Sequence, residues 1–183
     1  MIKALLLSLF VALALSRTYP LFKQCDSRWG NDELGTSGDT ICKSGCLLSS
    51  IAMGLSGTGH SYDPGQLNKW LKANGGISGC QINYGKLSEI GLGYDGNCAS
   101  SEVKTKIDQG KIVCMNVHNG GHWVLGYAYS GSTIMVNDPG YSTTSYPLSE
   151  VGNSHVFTAR GSPGEIFEKL KSLRIQDLIK EMK

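Results

Sequence analysis

Charge is scarce in this chain, and so is proline: Asp, Glu, Lys and Arg together make up 17% of 183 residues, and proline occurs 5 times. The formal net charge is only +2 and no Lys/Arg cluster stands out, which argues against a nucleic-acid partner. No glycine-rich stretch has the spacing of a phosphate loop or a dinucleotide fingerprint, so Gly75-Gly76 and Gly120-Gly121 read as turns and no cofactor is expected. An Asn-x-Ser/Thr sequon is missing, as are internal repeats and low-complexity segments. No apolar run reaches the roughly 20 residues a membrane-spanning helix needs.

The longest apolar run, 4–15, follows Lys3 and leads into Ala14-Leu15-Ser16. A basic residue, a short apolar stretch and small residues at its end mark a secretory signal peptide, residues 1–16, cut near Ser16 and Arg17. The mature chain is then expected outside the cell, or in the lumen of a secretory or lysosome-like compartment, with no stable membrane span. Residues 17–161 suit one domain with a single core. Residues 162–183 read as a C-terminal amphipathic helix: Ser162-Pro163-Gly164-Glu165 is the start signal, and Ile166, Phe167, Leu170, Leu173, Leu178 and Ile179 form one apolar face.

Within the domain, helix signals come first. Gly45-Cys46 opens the apolar run 47–55. Asp63-Pro64-Gly65-Gln66 combines a cap, a first-turn proline and a glutamine three residues after the cap, ahead of Leu67, Trp70 and Leu71. Segments 84–90 and 101–109 read as shorter helices. The period then changes, and 111–117, 122–129, 133–137 and 155–159 are β-prone runs separated by glycine-containing turns. Helices followed by antiparallel strands make an α+β domain.

Six cysteines in an exported chain suggest disulfides. Cys114, inside Ile112-Val113-Cys114-Met115, reads as a buried core thiol. If Cys46 stays reduced, Cys25, Cys42, Cys80 and Cys98 remain for two bridges, in three pairings that spacing does not separate. The bland alternative is three bridges and no free thiol.

Cys46 has a chemical use. A cysteine at a helix start, straight after a glycine, sits where backbone N–H groups and the helix dipole favour thiolate over thiol. Far downstream, the Gly120-Gly121 turn delivers His122 to the first position of a strand, and Asp138 stands at the end of the next one. Nucleophile on a helix start, base on a strand start and carboxylate on a strand end make a Cys–His–Asp relay, with Asp138 fixing the imidazole tautomer. Asn137 is the alternative orienting group. His118 and His122 are four apart, but Gly120-Gly121 breaks any helix between them, so no metal site is expected. His60 and His155 read as loop and strand-start residues, and Trp29 and Trp123 as cleft walls or core.

Gln24-x-Asp26-x-x-Trp29-Gly30, Gly45-Cys46 with Ala52-Met53, Gly121-His122-Trp123-Val124 and Asn137-Asp138-Pro139, in that order, resemble the bacteriocin-processing (double-glycine leader) peptidase-like family of papain-like cysteine peptidases. The similarity runs over about 20–155. It implies a papain-like fold, N-terminal helices on an antiparallel sheet, with Cys46 as nucleophile, His122 as base and Asp138 as third member. It also implies that Gln24 and the Cys46 backbone N–H form the oxyanion hole, an amide being able to donate without carrying charge. A long stretch including Cys42 separates Gln24 from Cys46, so its reach depends on how that stretch folds. The expected activity is that of a secreted cysteine peptidase or amide hydrolase acting on peptides or proteins through a thioester. An inactive papain-like binding protein, and an amidase or transamidase acting on cell-wall peptides, are the alternatives.

Overall fold

The structure, a computed structural model, describes residues 18–161. The expected signal peptide and C-terminal amphipathic helix lie outside these residues. Thr40 caps a short helix α1 (Ile41–Ser44), its side chain accepting from the Lys43 N–H. Gly45 then links α1 to α2 (Cys46–Ser56). A Cβ at Gly45 would lie 2.5 Å from the Ile41 carbonyl oxygen, so a side chain there would prevent the two helices from meeting so closely. Residues 48–55 of α2 are all buried, which suits a helix apolar on nearly every side and makes α2 the centre of the helical layer. Helix α3 (Pro64–Ala73) starts on the expected signal: the Asp63 carboxylate accepts from Gln66 N and the Gln66 amide oxygen accepts from Asp63 N, with Pro64 in the first turn.

A small hairpin, β1 (Ile77–Ser78) and β2 (Gln81–Ile82), follows α3. The main sheet contains β3 (Leu92–Cys98), β4 (Ile112–Val117), β5 (His122–Ser130), β6 (Thr133–Asn137), β7 (Ser145–Pro147) and β8 (Ser154–Ala159), with α4 (Val103–Asp108) between β3 and β4. Its order is β3-β8-β4-β5-β6-β7, and every neighbouring pair is antiparallel. Strand β4 is buried on both faces. Ile112 and Cys114 join Ile51, Leu55, Leu125 and Phe157 in a core beneath the helices, whereas Val113, Met115 and Val117 join Val103, Val124, Ile134 and Val156 on the other side. Among the described residues no helix is long and apolar enough to cross a membrane.

Several elements depart from the sequence reading. Segment Tyr84–Ile90 is a 3₁₀ helix. Strand β3 has no apolar alternation to announce it: two glycines and Asp95 interrupt it, and a bulge falls between Tyr94 and Gly96. Strand β7 ends in Pro147 and lies at the sheet edge, where a missing N–H is tolerated. Of the two bridges expected, one forms, between Cys25 and Cys42. Cys80 is exposed at the tip of the β1–β2 hairpin and Cys98 is buried at the end of β3; both are free, since these surroundings do not bring them together. Cys114 is the buried free thiol expected, and burial pushes its pKa far up.

Gly54 is the tightest meeting point of the two layers, because a Cβ there would come within 2.5 Å of Ile112 Cγ2. Gly54→Ala should therefore destabilise the fold by about 1–3 kcal/mol in urea titrations, although alanine is intrinsically the better helix former by about 1 kcal/mol. Adding Ile112→Val should recover part of the loss; an undiminished loss would place the strain elsewhere.

Candidate active site

Cys46 is the first residue of α2, a partly exposed free thiol at a helix N-terminus, where unpaired N–H groups and the dipole favour negative charge. Its turn is tied to the sheet by Ser50, whose hydroxyl is shared between the Cys46 carbonyl at 2.9 Å and the Trp123 carbonyl at 3.3 Å. The sequence reading missed Ser50, though its position one turn after Cys46 is the signal for such a bond.

His122 opens β5 opposite Val117 of β4. The turn between them, His118–Gly120, is tight: His118 and Asn119 have φ of +53° and Gly120 of +98°. Asp138 follows β6, which pairs with β5 so that Leu125 faces Asn137. This register carries the chain beyond Asn137 back alongside His122. One Asp138 oxygen, Oδ1, accepts from His122 Nε2 at 2.7 Å and from Gly140 N and Tyr141 N at 2.8 Å each. The other, Oδ2, accepts from the Tyr146 hydroxyl at 2.8 Å. A Cβ at Gly140 would lie 2.8 Å from His122 Cε1, so the loop needs glycine there to pass the ring.

With Nε2 committed to Asp138, Nδ1 is the ring nitrogen left for Cys46, with which His122 also hydrogen-bonds. Burial opposes a charged ring, but the bonds to Asp138 and Cys46 and their charges outweigh it and push the His122 pKa up to about 9. Burial likewise disfavours ionised Asp138, yet the donors from His122, Tyr141, Tyr146 and Gly140 prevail and hold it below the usual carboxylate value. Cys46, His122 and Asp138, expected to converge, are thus brought together. Asn137 is not part of this group: its amide donates to the carbonyls of Tyr19 and Pro20 in the N-terminal segment.

Gln24 reaches the same place by a route the sequence did not disclose. The Cys25–Cys42 bridge closes the intervening loop, and Gln24 Nε2 donates to the Cys42 carbonyl at 2.6 Å, just ahead of α2. Its backbone N–H donates to the Pro139 carbonyl at 3.0 Å, and its side chain meets the same edge of Gly140 as the His122 ring. The neighbouring Lys23 ammonium donates to the carbonyls of Asp138, at 2.8 Å, and Tyr141. Trp29 is buried core, while half-buried Trp123 stacks on His155 with ring centroids 4.4 Å apart.

The model of the Peptidase C39-like family matches residues 17–161. The chain belongs to that family. Its α+β architecture is helices packed on an antiparallel sheet. Among solved structures, the C39-like chain is similar to a double glycine motif protease from an AMS/PCAT transporter, crystallised with a leader peptide. The identity is 16% and the TM-score 0.47, over 79% of this chain and 94% of that one. It is also similar to a C39-like peptidase from Bacillus anthracis, at 14% identity and a TM-score of 0.48, over 79% of this chain and 97% of the other. No curated protein matches.

Asp138 is nearly inaccessible, at 1% exposure, and satisfies four donors. Asp138→Ala strands them in a buried setting and should lower stability by about 3–5 kcal/mol, with Asp138→Asn costing less because one acceptor oxygen survives. Because its folded pKa is depressed, the wild-type contribution is complete above an unfolded value of about 3.9 and disappears as pH falls through the folded one. Urea titrations from neutral pH to pH 2 should therefore show a steeper acid loss in wild type than in Asp138→Asn. Parallel curves would contradict the assignment.

Proposed function

We propose that the protein is a cysteine peptidase that works by acyl transfer, exported to an oxidising compartment. The observation that carries this reading is the His122 ring, hydrogen-bonded to Asp138 on one side and to Cys46, at the start of α2, on the other. Such a ring stabilises a thiolate and is oriented by a carboxylate that does not itself take the proton. Membership of a peptidase family supports a peptide or protein as the substrate. The apolar run near the N-terminus supports export, and the Cys25–Cys42 bridge accords with it.

In the proposed reaction the Cys46 thiolate attacks the carbonyl carbon of the scissile amide. A C–S bond forms and the carbonyl π-electrons move onto oxygen. Backbone N–H groups at the start of α2, and the Gln24 N–H not engaged by Cys42, are the proposed donors to that oxyanion. As the intermediate collapses, the C–N bond breaks and His122 gives its proton to the departing amine. Water, deprotonated by His122, then cleaves the thioester, releasing the acid and restoring the thiolate–imidazolium pair.

Cys80 supplies an internal reference, since it is a free, exposed thiol away from the site. At pH 6 iodoacetamide should label Cys46 much faster than Cys80, and His122→Ala should bring Cys46 down to the rate of Cys80. Equal rates in wild type would count against the paired thiolate. Cys46→Ala should abolish peptide hydrolysis, and Gln24→Ala should reduce it about 10²–10³-fold with little effect on labelling. Since His122 keeps its proton to about pH 9, hydrolysis should decline above that value as the general acid is lost. Alkylation, which needs only the thiolate, should not follow it; a shared alkaline decline would exclude His122 as the proton donor.

A further inference from the structure

The bonds around Asp138 continue past the residues assigned above. Tyr146, at 4% exposure, donates its hydroxyl to Asp138 Oδ2 at 2.8 Å, and its oxygen lies 3.3 Å from His118 Nε2. A phenol has one proton, and here the carboxylate takes it. The contact with His118 is therefore a donation from His118 Nε2–H to the phenol oxygen. The result is a directed chain from His118 to Tyr146 to Asp138 Oδ2, while His122 donates to Oδ1 of the same carboxylate.

His118 is held in place for this contact. It occupies the left-handed region at φ +53°, uncommon for a residue other than glycine. Its ring stacks on His122 with centroids 5.6 Å apart and meets Tyr141 and Tyr146 edge-on at 5.2 and 5.5 Å. Unlike Asp138 and Tyr146, His118 is exposed. The other titratable or charged groups facing this chain are Lys23, on the Asp138 and Tyr141 carbonyls, Tyr141, His122 with Cys46 beyond it, and Glu150, which lines a cavity together with His118. The Thr143 hydroxyl also contacts the phenol.

We propose that His118 and Tyr146 form a positioning arm that keeps Asp138 ionised, and so keeps His122 oriented. The inference rests on the reading of Cys46, His122 and Asp138 given above. Its logic is that of a buried carboxylate. Burial alone favours protonation, and a protonated Asp138 no longer holds an imidazolium. Donation from the His118 ring polarises the phenol, and a polarised phenol is a stronger donor to Oδ2, which favours the ionised carboxylate. Tyr146 can serve because burial and the Asp138 charge push its pKa up to about 12, so it stays a donor throughout.

The test is the titration of Asp138, followed by NMR of its side-chain carboxyl carbon in the Cys46→Ala protein, so that the result does not depend on a working nucleophile. Tyr146→Phe should raise the Asp138 pKa by about 0.5 or more. His118→Asn, which suits a left-handed backbone and removes the ring donor, should raise it in the same direction, and His118→Lys, which restores a donor, should return it toward the parent. In the protein with Cys46 intact, the acid limb of iodoacetamide labelling should move to higher pH in Tyr146→Phe and His118→Asn, and much less in His118→Lys. A purely structural role for these side chains would not move the limb in this donor-dependent order. An Asp138 pKa within about 0.2 of the parent in either Tyr146→Phe or His118→Asn overturns the proposal. An unreactive wild-type Cys46 would instead refute the peptidase reading while leaving the Asp138 titration to decide the arm.

Discussion

A carboxylate removed from water must find donors for its oxygens, and the burial of Asp138 imposes that condition on half the molecule. Its oxygens receive a ring N–H from β5, two backbone N–H groups from its own loop and a hydroxyl from β7. Each donor makes a demand on the fold. The backbone pair requires the chain to turn immediately after Asp138, and glycine at 140 lets that turn pass the His122 ring. The ring requires β5 and β6 to be paired in one register, since a slip of one residue would turn Asp138 to the opposite face. The hydroxyl requires the short edge strand β7, which pairs with β6 and carries Tyr146 into the buried side of the sheet. Lys23 then clamps the same loop from outside through its carbonyls.

The helical half is brought to this loop by different means. Strand pairing does not connect α2 to β5; apolar packing does, helped by the Ser50 hydroxyl bridging the Cys46 and Trp123 carbonyls. Packing between layers is close where Gly54 meets Ile112, so the helix has little freedom to slide. The N-terminal segment is fixed at several points: by the Cys25–Cys42 bridge to α1, by the Gln24 backbone on the Pro139 carbonyl, by Lys23 on the Asp138 and Tyr141 carbonyls, and by the Asn137 amide on the Tyr19 and Pro20 carbonyls. Gln24 consequently spans the seam between the two halves, against the helix start on one side and the Asp138 loop on the other.

These particulars explain which parts were legible in the sequence. Helix α2 and the strands β4, β5 and β6 declare themselves, because apolar runs and glycine turns report directly on burial and chain reversal. The capping box of α3 is as local a signal as proteins offer. Strand β3 exists because β8 offers it an edge, not because its own residues prefer extension, so nothing within Leu92–Cys98 discloses it. Cys46, His122 and Asp138 were visible through their positions at element ends. Tyr146 and His118 were not, since a tyrosine in a short polar stretch and a histidine in a turn acquire meaning only when the sheet brings them to Asp138. Disulfide pairing was closed to spacing arguments for the same reason: Cys80 and Cys98 are separated by their surroundings rather than by sequence distance.

The four free thiols show how far environment, rather than residue type, decides chemistry here. Cys114 lies at 0% exposure among Ile112, Leu125 and Phe157, where nothing stabilises a negative sulfur. Burial likewise pushes up the pKa of Cys98, with the nearby Glu102 carboxylate adding to the effect. Cys80 is open to water at the tip of the β1–β2 hairpin, not at a helix start. Cys46 alone combines access, a helix N-terminus and a hydrogen-bonded imidazole that is itself charged well beyond neutral pH. A thiolate beside an imidazolium is a neutral pair overall, so forming it in a half-buried cleft costs far less than burying a lone sulfur anion. In the proposed reaction such a pair needs a second anion behind the imidazolium, and Asp138 stands where that anion is required. Two carboxylate oxygens, satisfied from four directions, are in this sense what sets one of six cysteines apart from the rest.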